Sequence, residues 1–340
     1  MKNDSLIYDF FVGIDVSKKT FDVGILSSQG ERIAHKKFIN NQFGFESFLL
    51  WINQRIQSLQ ILFVMEHTGL YSRLLQFYLQ DQSCYLWMES GFQIKRGMGI
   101  IKGKNDKIDS YRIAEYALNR RYKANLCPEY DEDLVILHDL LSTRNRLNNA
   151  LKQLKQPINE MKTYGNKRSF EAIESGSKAA VEGLSESISH IENQITELCK
   201  NRDDWYENIE LATSIKGIGK WTCLWILVYT RNFSIDFSSR KFASMAGIAP
   251  FGSYSGTSIK IDPNNSHFSH KFLKGILHTS ALSSLKTNEQ MRIYWDQKKQ
   301  EGKKGFVILN NIKNKLVHQI FAVVRNKTPF DPNYIHKKAA

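Results

Sequence analysis

Four acidic residues of this chain have the types and the order that a metal-dependent phosphodiester-cleaving site requires. They are Asp15, Glu66, Asp106 and Asp109. Asp15 and Glu66 each end an apolar run, and Asp106 and Asp109 stand three residues apart at the head of a predicted helix, so they share one face. Carboxylate oxygens are the ligands that Mg²⁺ prefers, and two such metals can clamp the attacking and leaving oxygens of a phosphodiester.

Each of these acids also has an ordinary structural interpretation. Asp106 is a suitable N-cap for the helix that follows, and Asp109 is a favourable charge in its first turn. Carboxylates are common at the ends of strands and helices. The prediction of a site therefore depends on all four acids and on the elements that hold them.

Those elements form a recognisable series. The alternation and length of the apolar runs predict strands over residues 8–15, 20–26, 31–39, 61–66 and 84–88, with a hairpin turn at 27–30. Helices are predicted over residues 43–56, from about residue 70, and over residues 111–122. Three meandering strands followed by alternating helix and strand indicate an α/β layer architecture, in the order of the ribonuclease-H-like (RuvC-like) nuclease fold.

The middle of the chain has a different periodicity. Its second half places apolar residues at alternating steps of three and four, which is a heptad seam: Val181, Leu184, Ile188, Ile191, Ile195 and Leu198. A looser apolar series runs from Leu134 to Met161, and Tyr164-Gly165-Asn166 is a plausible break between the two. This coiled-coil region can form a hairpin within one chain or pair with a second subunit, and about three heptads do not decide between them.

A glycine-rich turn begins the last third of the chain. Ser214 to Lys220, with Gly217 and Gly219, resembles a helix-hairpin-helix turn, in which the second helix offers free N–H groups to a phosphate. Spacing excludes a nucleotide-binding P-loop. Farther on, Pro250, Gly252 and Gly256 predict a loop that exposes Ser255, although a loop serine is usually only a turn residue.

Composition limits the class of protein. A chain of 340 residues should hold two or three domains, and it has no apolar run long enough to span a membrane and no signal-peptide pattern at its start. The four cysteines are widely spaced, which favours buried thiols in a reducing cytoplasm over disulfides or metal ligands.

The charge is high and unevenly distributed. The net charge is +13, and residues 256–340 hold 15 basic against 5 acidic residues, a net of +10. A dense cationic surface indicates a phosphate backbone as partner. The candidate nucleic-acid-binding residues are Lys102, Lys104, Arg120, Arg121, Lys216, Lys220, Lys298, Lys299, Lys303 and Lys304.

Several short motifs occur in a fixed order along nearly the whole chain. They include residues 13–18, 66–71, 105–109, 217–219, 246–250 with 255–256, and 302–305 with 329–331. In this set and order, the chain resembles the DEDD-type serine transposases of the insertion-sequence-110 family, the bridge-RNA-guided recombinases.

The resemblance implies three domains and a role for each set of candidate residues. It implies a RuvC-like DEDD nuclease domain over residues 1–128, a coiled-coil region over 129–205 and a mainly α-helical transposase domain over 206–340. The four acids would hold Mg²⁺, for which Mn²⁺ can substitute. The resemblance also makes Ser255 the nucleophile that forms a covalent phosphoserine link to DNA; Ser253 and Ser258 stay open as alternatives.

The resemblance also implies partners. Donor and target DNA would be selected by a structured noncoding bridge RNA, so the protein need recognise only shape and phosphate. A composite centre built across subunits needs at least a homodimer and allows a tetramer. The expected location is the prokaryotic cytoplasm, at the nucleoid when acting, with no membrane partner.

Three other functions remain open at this point. A Holliday-junction-resolving nuclease of the same fold would use the acids and ignore Ser255. A site-specific DNA invertase would use the same residues without mobility or a guide. A nucleic-acid-binding scaffold would have no use for four matched acids.

Overall fold

A computed structural model describes residues 8–98, 105–249, 251–255, 259–264 and 270–332, with only the backbone for 251–255 and 259–264. The chain divides into two compact units, Met1–Asp131 and Glu132–Ala340. No helix in the described ranges combines the length and apolarity that crossing a bilayer would need. All four cysteines are free thiols, of which Cys199 and Cys223 are buried.

The first unit is a mixed sheet with helices on both faces. Its order is β1 (Phe10–Val16), β2 (Thr20–Ser27), β3 (Arg32–Ile39), α1 (Gln42–Asn53), β4 (Ile61–Glu66), α2 (Leu70–Asp81), β5 (Tyr85–Glu89), α3 (Gly91–Gly97) and α4 (Asp106–Arg120). The sheet order is β3-β2-β1-β4-β5, with β1, β2 and β3 antiparallel and β4 and β5 parallel to β1. The predicted α/β series is confirmed, with Asp106 at the start of α4 as expected, and the main difference is the additional short helix α3.

The two faces of this sheet bury different clusters. One face packs against α1 and α2 through an aromatic group that includes Phe21, Phe38, Phe48 and Trp51. The other face packs against α4 through residues such as Phe11, Leu62, Val64 and Ala114. Alternate residues of β1 and β4 are buried on opposite faces, which explains why both strands are continuous apolar runs.

Two paired glycines allow α4 to lie close to the sheet. Gly13 of β1 and Gly24 of β2 are direct cross-strand partners. A Cβ atom at Gly13 would overlap the Ser110 carbonyl oxygen and the Ala114 amide nitrogen, and one at Gly24 would press on Tyr111. The missing side chains therefore form a groove that receives α4 just after Asp109.

The second unit begins with two long helices, α5 (Glu132–Tyr164) and α6 (Lys167–Lys200), joined by a two-residue link at the predicted break. They pack on each other within one chain, where Arg144 of α5 forms an ion pair with Glu192 of α6 at 2.6 Å. Ile188 and Ile195 of the predicted seam are buried. Thus a hairpin within one chain exists, while pairing with a second subunit and the coiled-coil geometry stay predictions.

The rest of the unit is mostly helical. It contains α7 (Asp203–Thr213), α8 (Lys220–Tyr229), α9 (Ser239–Met245), β6 (Phe251–Ser255), β7 (Ile259–Asn264), α10 (Lys271–Thr287), α11 (Glu289–Gln300) and α12 (Gly305–Asn326). α12 is central to the core, with fully buried residues at Ile308, Ile312, Leu316 and Ile320. The strands β6 and β7 form an antiparallel ribbon.

This ribbon corrects one expectation. The glycines and proline around Ser255 predicted a loop, but residues 251–255 pair with 259–264. β6 is short and contains a glycine and two serines, so turn residues dominated the prediction over it.

Candidate active site

Carboxylates line up across the sheet on the side covered by α4. Asp15 of β1 is the direct partner of Asp22 on β2. Ile14 pairs with Met65, and this parallel register continues to place Glu66 beside Asp15. Because side chains alternate along a strand, Asp15 points to the same face as Gly13, against which α4 packs. Glu66 lies on that face as well, two residues after Val64.

The first turn of α4 supplies the other two predicted acids. Asn105 caps the helix through its side chain, which accepts from the Lys107 amide at 3.0 Å, so the predicted capping role of Asp106 is taken by its neighbour. Asp106 and Asp109 are then free to lie in the first turn near the sheet edge. The groove formed by Gly13 and Gly24 fixes where this turn meets β1.

The charge on Asp15 is strongly disfavoured. Burial, followed by repulsion from Asp109, Asp106, Glu66 and Asp22, raises the pKa of Asp15 to about 6. All three of the other predicted acids therefore lie near enough to Asp15 to act on it electrostatically.

Three of the acids already have partners or neighbours. Asp109 accepts from Arg112 at 2.7 Å, and Asp106 forms an ion pair with Lys37 at 3.5 Å. The Glu66 carboxylate lies against Gly91, where a Cβ atom would collide with it. Gly91 thus leaves the space that Glu66 occupies.

The donor set suits a divalent cation in chemistry and charge. Four carboxylates offer oxygen ligands, and burial together with the neighbouring acids raises the pKa of Asp15. A bound cation would supply positive charge to this negative cluster. Within the described ranges, however, no three His, Cys, Asp or Glu side chains already form a metal-binding group. The acids are neighbours rather than an assembled ligand set, and their assignment as ligands stays a prediction.

Four further residues on this edge were not predicted from the sequence: Asp22, His35, Lys37 and Glu89. Asp22 is only 3% exposed and lies 2.9 Å from His35 Nε2 and 3.1 Å from Lys37 Nζ. Lys37 therefore links Asp22 to Asp106. The short turn at residues 17–19 joins β1 to β2, and in it the Ser17 amide donates to the Thr20 carbonyl at 2.9 Å. Counting outward from this turn along both strands places Asp22 opposite Asp15, so this acid could have been found from the sequence.

The fourth missed residue is Glu89. It is the cross-strand partner of Glu66 and extends the row of carboxylates to β5. It accepts from the Ser90 amide at 2.8 Å and from the Tyr116 hydroxyl at 3.2 Å. Burial and then Glu89 raise the pKa of Tyr116 to about 12, which keeps this hydroxyl a donor.

The predicted nucleophile lies in the second unit. Ser255 is the last residue of β6, and its backbone pairs with Ile259 of β7. Ser253 pairs with Ile261 in the same ribbon, whereas Ser258 lies outside the described residues. Ser255 is therefore adjacent to the ribbon's turn.

The glycine-rich turn lies between α7 and α8, and its assignment as a helix-hairpin-helix turn stays a prediction. Gly217 has a φ of 103°, and a Cβ atom there would collide with the Ser284 backbone of α10. Gly219 is the N-cap of α8 and supplies no side-chain capping bond. Lys216 is exposed at this turn, while Lys220 donates to Thr196 of α6 at 2.9 Å.

The other basic candidates have varied surroundings. Lys102 and Lys104 lie outside the described residues. Arg120 stacks over Tyr116, Arg121 donates to the Leu118 carbonyl at 2.8 Å, and Lys298 forms an ion pair with Glu301 at 2.7 Å. Arg121 is exposed, as are Lys299 near the end of α11 and Lys303 and Lys304 just after Gly302. Their role in binding stays a prediction.

Comparison with known proteins identifies both units. Residues 12–161 match a sequence model of DEDD transposases of the IS110 type, described as a transposase. Residues 209–296 match a second model, described as a transposase of the IS116/IS110/IS902 family. The two matches contain the four acids and Ser255.

Two curated relatives are similar over almost their whole length. Each is named a pilin gene-inverting protein, one from Moraxella bovis and one from Moraxella lacunata. Each is 26% identical to this chain over 326 residues, which cover 94% of the chain and 97% of the relative. Together with the two matched models, these similarities show that the chain belongs to the IS110 family of transposases, which are DNA-rearranging enzymes.

Proposed function

We propose that this protein cuts and rejoins DNA as the transposase of an insertion sequence, through a serine nucleophile and a Mg²⁺-dependent acidic site. The observation that carries the proposal is the group of four carboxylates that repel the charge of Asp15, namely Asp109, Asp106, Glu66 and Asp22. A sheet order of β3-β2-β1-β4-β5 supports a ribonuclease-H-like assignment for the first unit. Family membership supports DNA as the substrate.

The chemistry requires two successive phosphoryl transfers. The Ser255 oxygen attacks a DNA phosphorus, the bond from phosphorus to one strand's sugar oxygen breaks, and the serine proton is transferred so that the departing strand leaves as a hydroxyl. A hydroxyl of another strand then attacks the phosphoserine ester, which restores Ser255. The number of phosphoester bonds is unchanged, so no ATP is needed.

The acids of the first unit would hold the cation. Asp15, Glu66, Asp106 and Asp109 offer the oxygens, and Mg²⁺, when bound, would neutralise charge on the phosphate and lower the pKa of an attacking hydroxyl. Asp22 and Lys37 would orient Asp106, and Arg112 would orient Asp109. We infer that the acids and Ser255 act in one composite centre of a homo-oligomer.

Recognition of sites is assigned to a guide RNA. A net charge of +10 in residues 256–340 favours contacts with phosphate backbones rather than with bases. We propose that a structured noncoding bridge RNA pairs with donor and target DNA and leaves shape and phosphate to the protein.

A second candidate is a site-specific DNA invertase. It is supported by the name of the two relatives and by a similarity that covers 97% of each. The same residues would perform the same phosphoryl transfers, so the active site does not separate the two functions. They differ in whether a segment is inverted in place or moved to a new target.

The decisive experiment traps the serine adduct. Labelled DNA incubated with the protein and Mg²⁺ should give a covalent complex on a denaturing gel, and Ser255→Ala should abolish it while the non-covalent complex is retained. Ser253→Ala is the matched control on the same strand and should keep the adduct. Cleavage by Ser255→Ala without any adduct would replace the proposal with a plain nuclease.

A separate experiment distinguishes the two recombinase functions. RNA that co-purifies with the protein expressed from its native locus is sequenced, and a two-plasmid assay compares movement to a new target with inversion between two sites. A discrete RNA from the flank of the gene and RNase-sensitive movement support guided transposition. Inversion without RNA supports the invertase.

A further inference from the structure

Lys313 is a buried cation in the second unit. It lies on α12 with only 5% of its surface exposed, next to the fully buried Ile312 and one turn before the fully buried Leu316. Within the described part of the chain, no acidic group acts on its ammonium and no hydrogen bond involves it. A lysine that is buried along most of its side chain, with no counter-charge among the described residues, is unusual, since lysine is rarely buried unless it is paired.

A second lysine increases the local charge. Lys274 of α10 is half-buried, and α10 packs along α12. Burial and then repulsion by Lys274 lower the pKa of Lys313 to about 8, so the two ammonium groups lie close enough to act on each other. The fold thus places two like charges at the same helix contact.

The two lysines lie at the base of the ribbon that carries Ser255. Asn310, one turn before Lys313, donates from Nδ2 to the Ile248 carbonyl at 2.9 Å, and Ile248 lies three residues before β6. At the other end of the ribbon, the His270 amide donates to the Met245 carbonyl at 2.9 Å, and Lys274 follows one turn later. Both ends of the ribbon therefore return to this part of the core.

The structure assigns Lys313 and Lys274 to a binding site for a backbone phosphate of nucleic acid, at the base of the Ser255 ribbon. The identity of the anion as nucleic-acid phosphate rests on the proposed function, whereas the anion site itself rests on the burial of Lys313. Among the described residues neither lysine has an acidic partner, and a phosphate would supply that negative charge. It would also hold the nucleic acid against the element that carries the nucleophile.

The first test uses inorganic phosphate and does not depend on recombination. Thermal unfolding of the full chain is compared in phosphate and in chloride at equal ionic strength. We expect phosphate to raise the Tm of the wild type by several degrees more than that of Lys313→Met. Lys315→Met is the matched control, because Lys315 is exposed on the same helix over Tyr294, and it should respond like the wild type.

The second test measures nucleic-acid binding as a function of salt. Affinity for a short DNA duplex and for an RNA hairpin of equal length is measured by fluorescence anisotropy. Loss of one phosphate contact should reduce the slope of log K against log salt by about one unit in Lys313→Met, but not in Lys315→Met. A reduced slope for the duplex alone assigns the site to DNA, and one for the hairpin alone assigns it to RNA.

The failure of this inference is separable from failure of the proposed function. Equal responses of wild type and Lys313→Met to phosphate, with equal slopes for both nucleic acids, would overturn the site even if Ser255 forms its adduct. A phosphate response without any Ser255 adduct would keep the anion site and remove the recombinase. Lys274→Met, at a half-buried position, carries the same test if Lys313→Met does not fold.

Discussion

The acidic edge of the first unit and the base of the ribbon in the second unit both concentrate like charge, but they compensate it differently. At the acidic edge, Asp22 contacts His35 and Lys37, and Asp109 contacts Arg112. At the ribbon base, no acidic group in the described residues acts on Lys313. The negative cluster is partly neutralised by the protein's own cations, whereas the described residues provide no anion for the positive one.

This difference separates two ways of preparing a site. Partial neutralisation leaves the acids charged and positioned, with Asp15 the group least able to carry its charge. An uncompensated buried lysine lowers the stability of the fold until a ligand arrives. Both regions give up folding stability, and the sign of the missing charge indicates a cation at one and an anion at the other.

The largest expected effect tests the acidic edge. Asp15→Asn should lower recombination by at least about a hundredfold, because it removes a metal ligand and its charge. The same change should raise the stability of the metal-free protein at pH 7 by roughly 1–3 kcal/mol, since it relieves repulsion by the surrounding acids. Thermal unfolding in EDTA measures the second effect.

Glu46→Gln is the control for Asp15→Asn, because Glu46 accepts from Gln42 on the surface of α1. It should leave both quantities unchanged. Metal-free Asp15→Asn protein that is less stable than the wild type would contradict the interpretation of Asp15 as a repelled charge.

A second prediction concerns the groove that positions the acids. Gly13→Ala should destabilise the first unit by about 3 kcal/mol, because its Cβ would overlap the Ser110 and Ala114 backbone of α4. Denaturant unfolding gives the value. Gly183→Ala is the control: it lies in α6 with nothing within 4 Å, so the change should stabilise that helix by about 1 kcal/mol. Equal effects of the two changes would show that α4 does not depend on the groove.

A third prediction uses the pH dependence at the ribbon base. The pKa of Lys313 is about 8 in the folded protein and 10.5 as its ordinary value, so the unfolded chain binds the extra proton between these pH values. Stability should therefore rise with pH across this window as a result of Lys313. Lys313→Met should remove that slope and stabilise the protein at pH 7 by up to about 3 kcal/mol.

The quantity that tests this prediction is the difference in the free energy of unfolding between wild type and Lys313→Met at each pH. The difference is needed because Lys274 acts on Lys313 and other groups titrate in the same range. Chemical denaturation at several pH values supplies it. Parallel profiles for wild type and Lys313→Met would mean that Lys313 is not held at a lowered pKa.

The smallest expected effect concerns Lys37, which bridges Asp22 and Asp106. Lys37→Met removes a cation from the acidic edge, so Mg²⁺ should bind roughly three- to tenfold more tightly in a calorimetric titration. Lys36→Met is the matched control, because Lys36 lies over Phe38 on the opposite face of the same strand. Weaker Mg²⁺ binding by Lys37→Met would instead mean that the orientation of Asp106 by Lys37 outweighs the repulsion between its ammonium and the cation.

Sequence alone determined the five strands and the three longer helices of the first unit and the four candidate acids. The apolar runs that end at Asp15 and Glu66 are long and periodic, so they specify strands from local information. Predicted and observed strand ends differ by one or two residues. The break between α5 and α6 was equally clear, because a glycine and an asparagine interrupt two long apolar repeats.

Other features were decided only by tertiary structure. Asp22, Glu89 and Lys37 join the acidic edge through cross-strand register, which depends on pairing between distant segments. The burial of Lys313 follows from the packing of α10 on α12, and a lysine in a helix is ordinarily predicted to be exposed. Periodicity specifies which side of an element faces the core, but the neighbours that a side chain meets there depend on contacts between elements far apart in the chain.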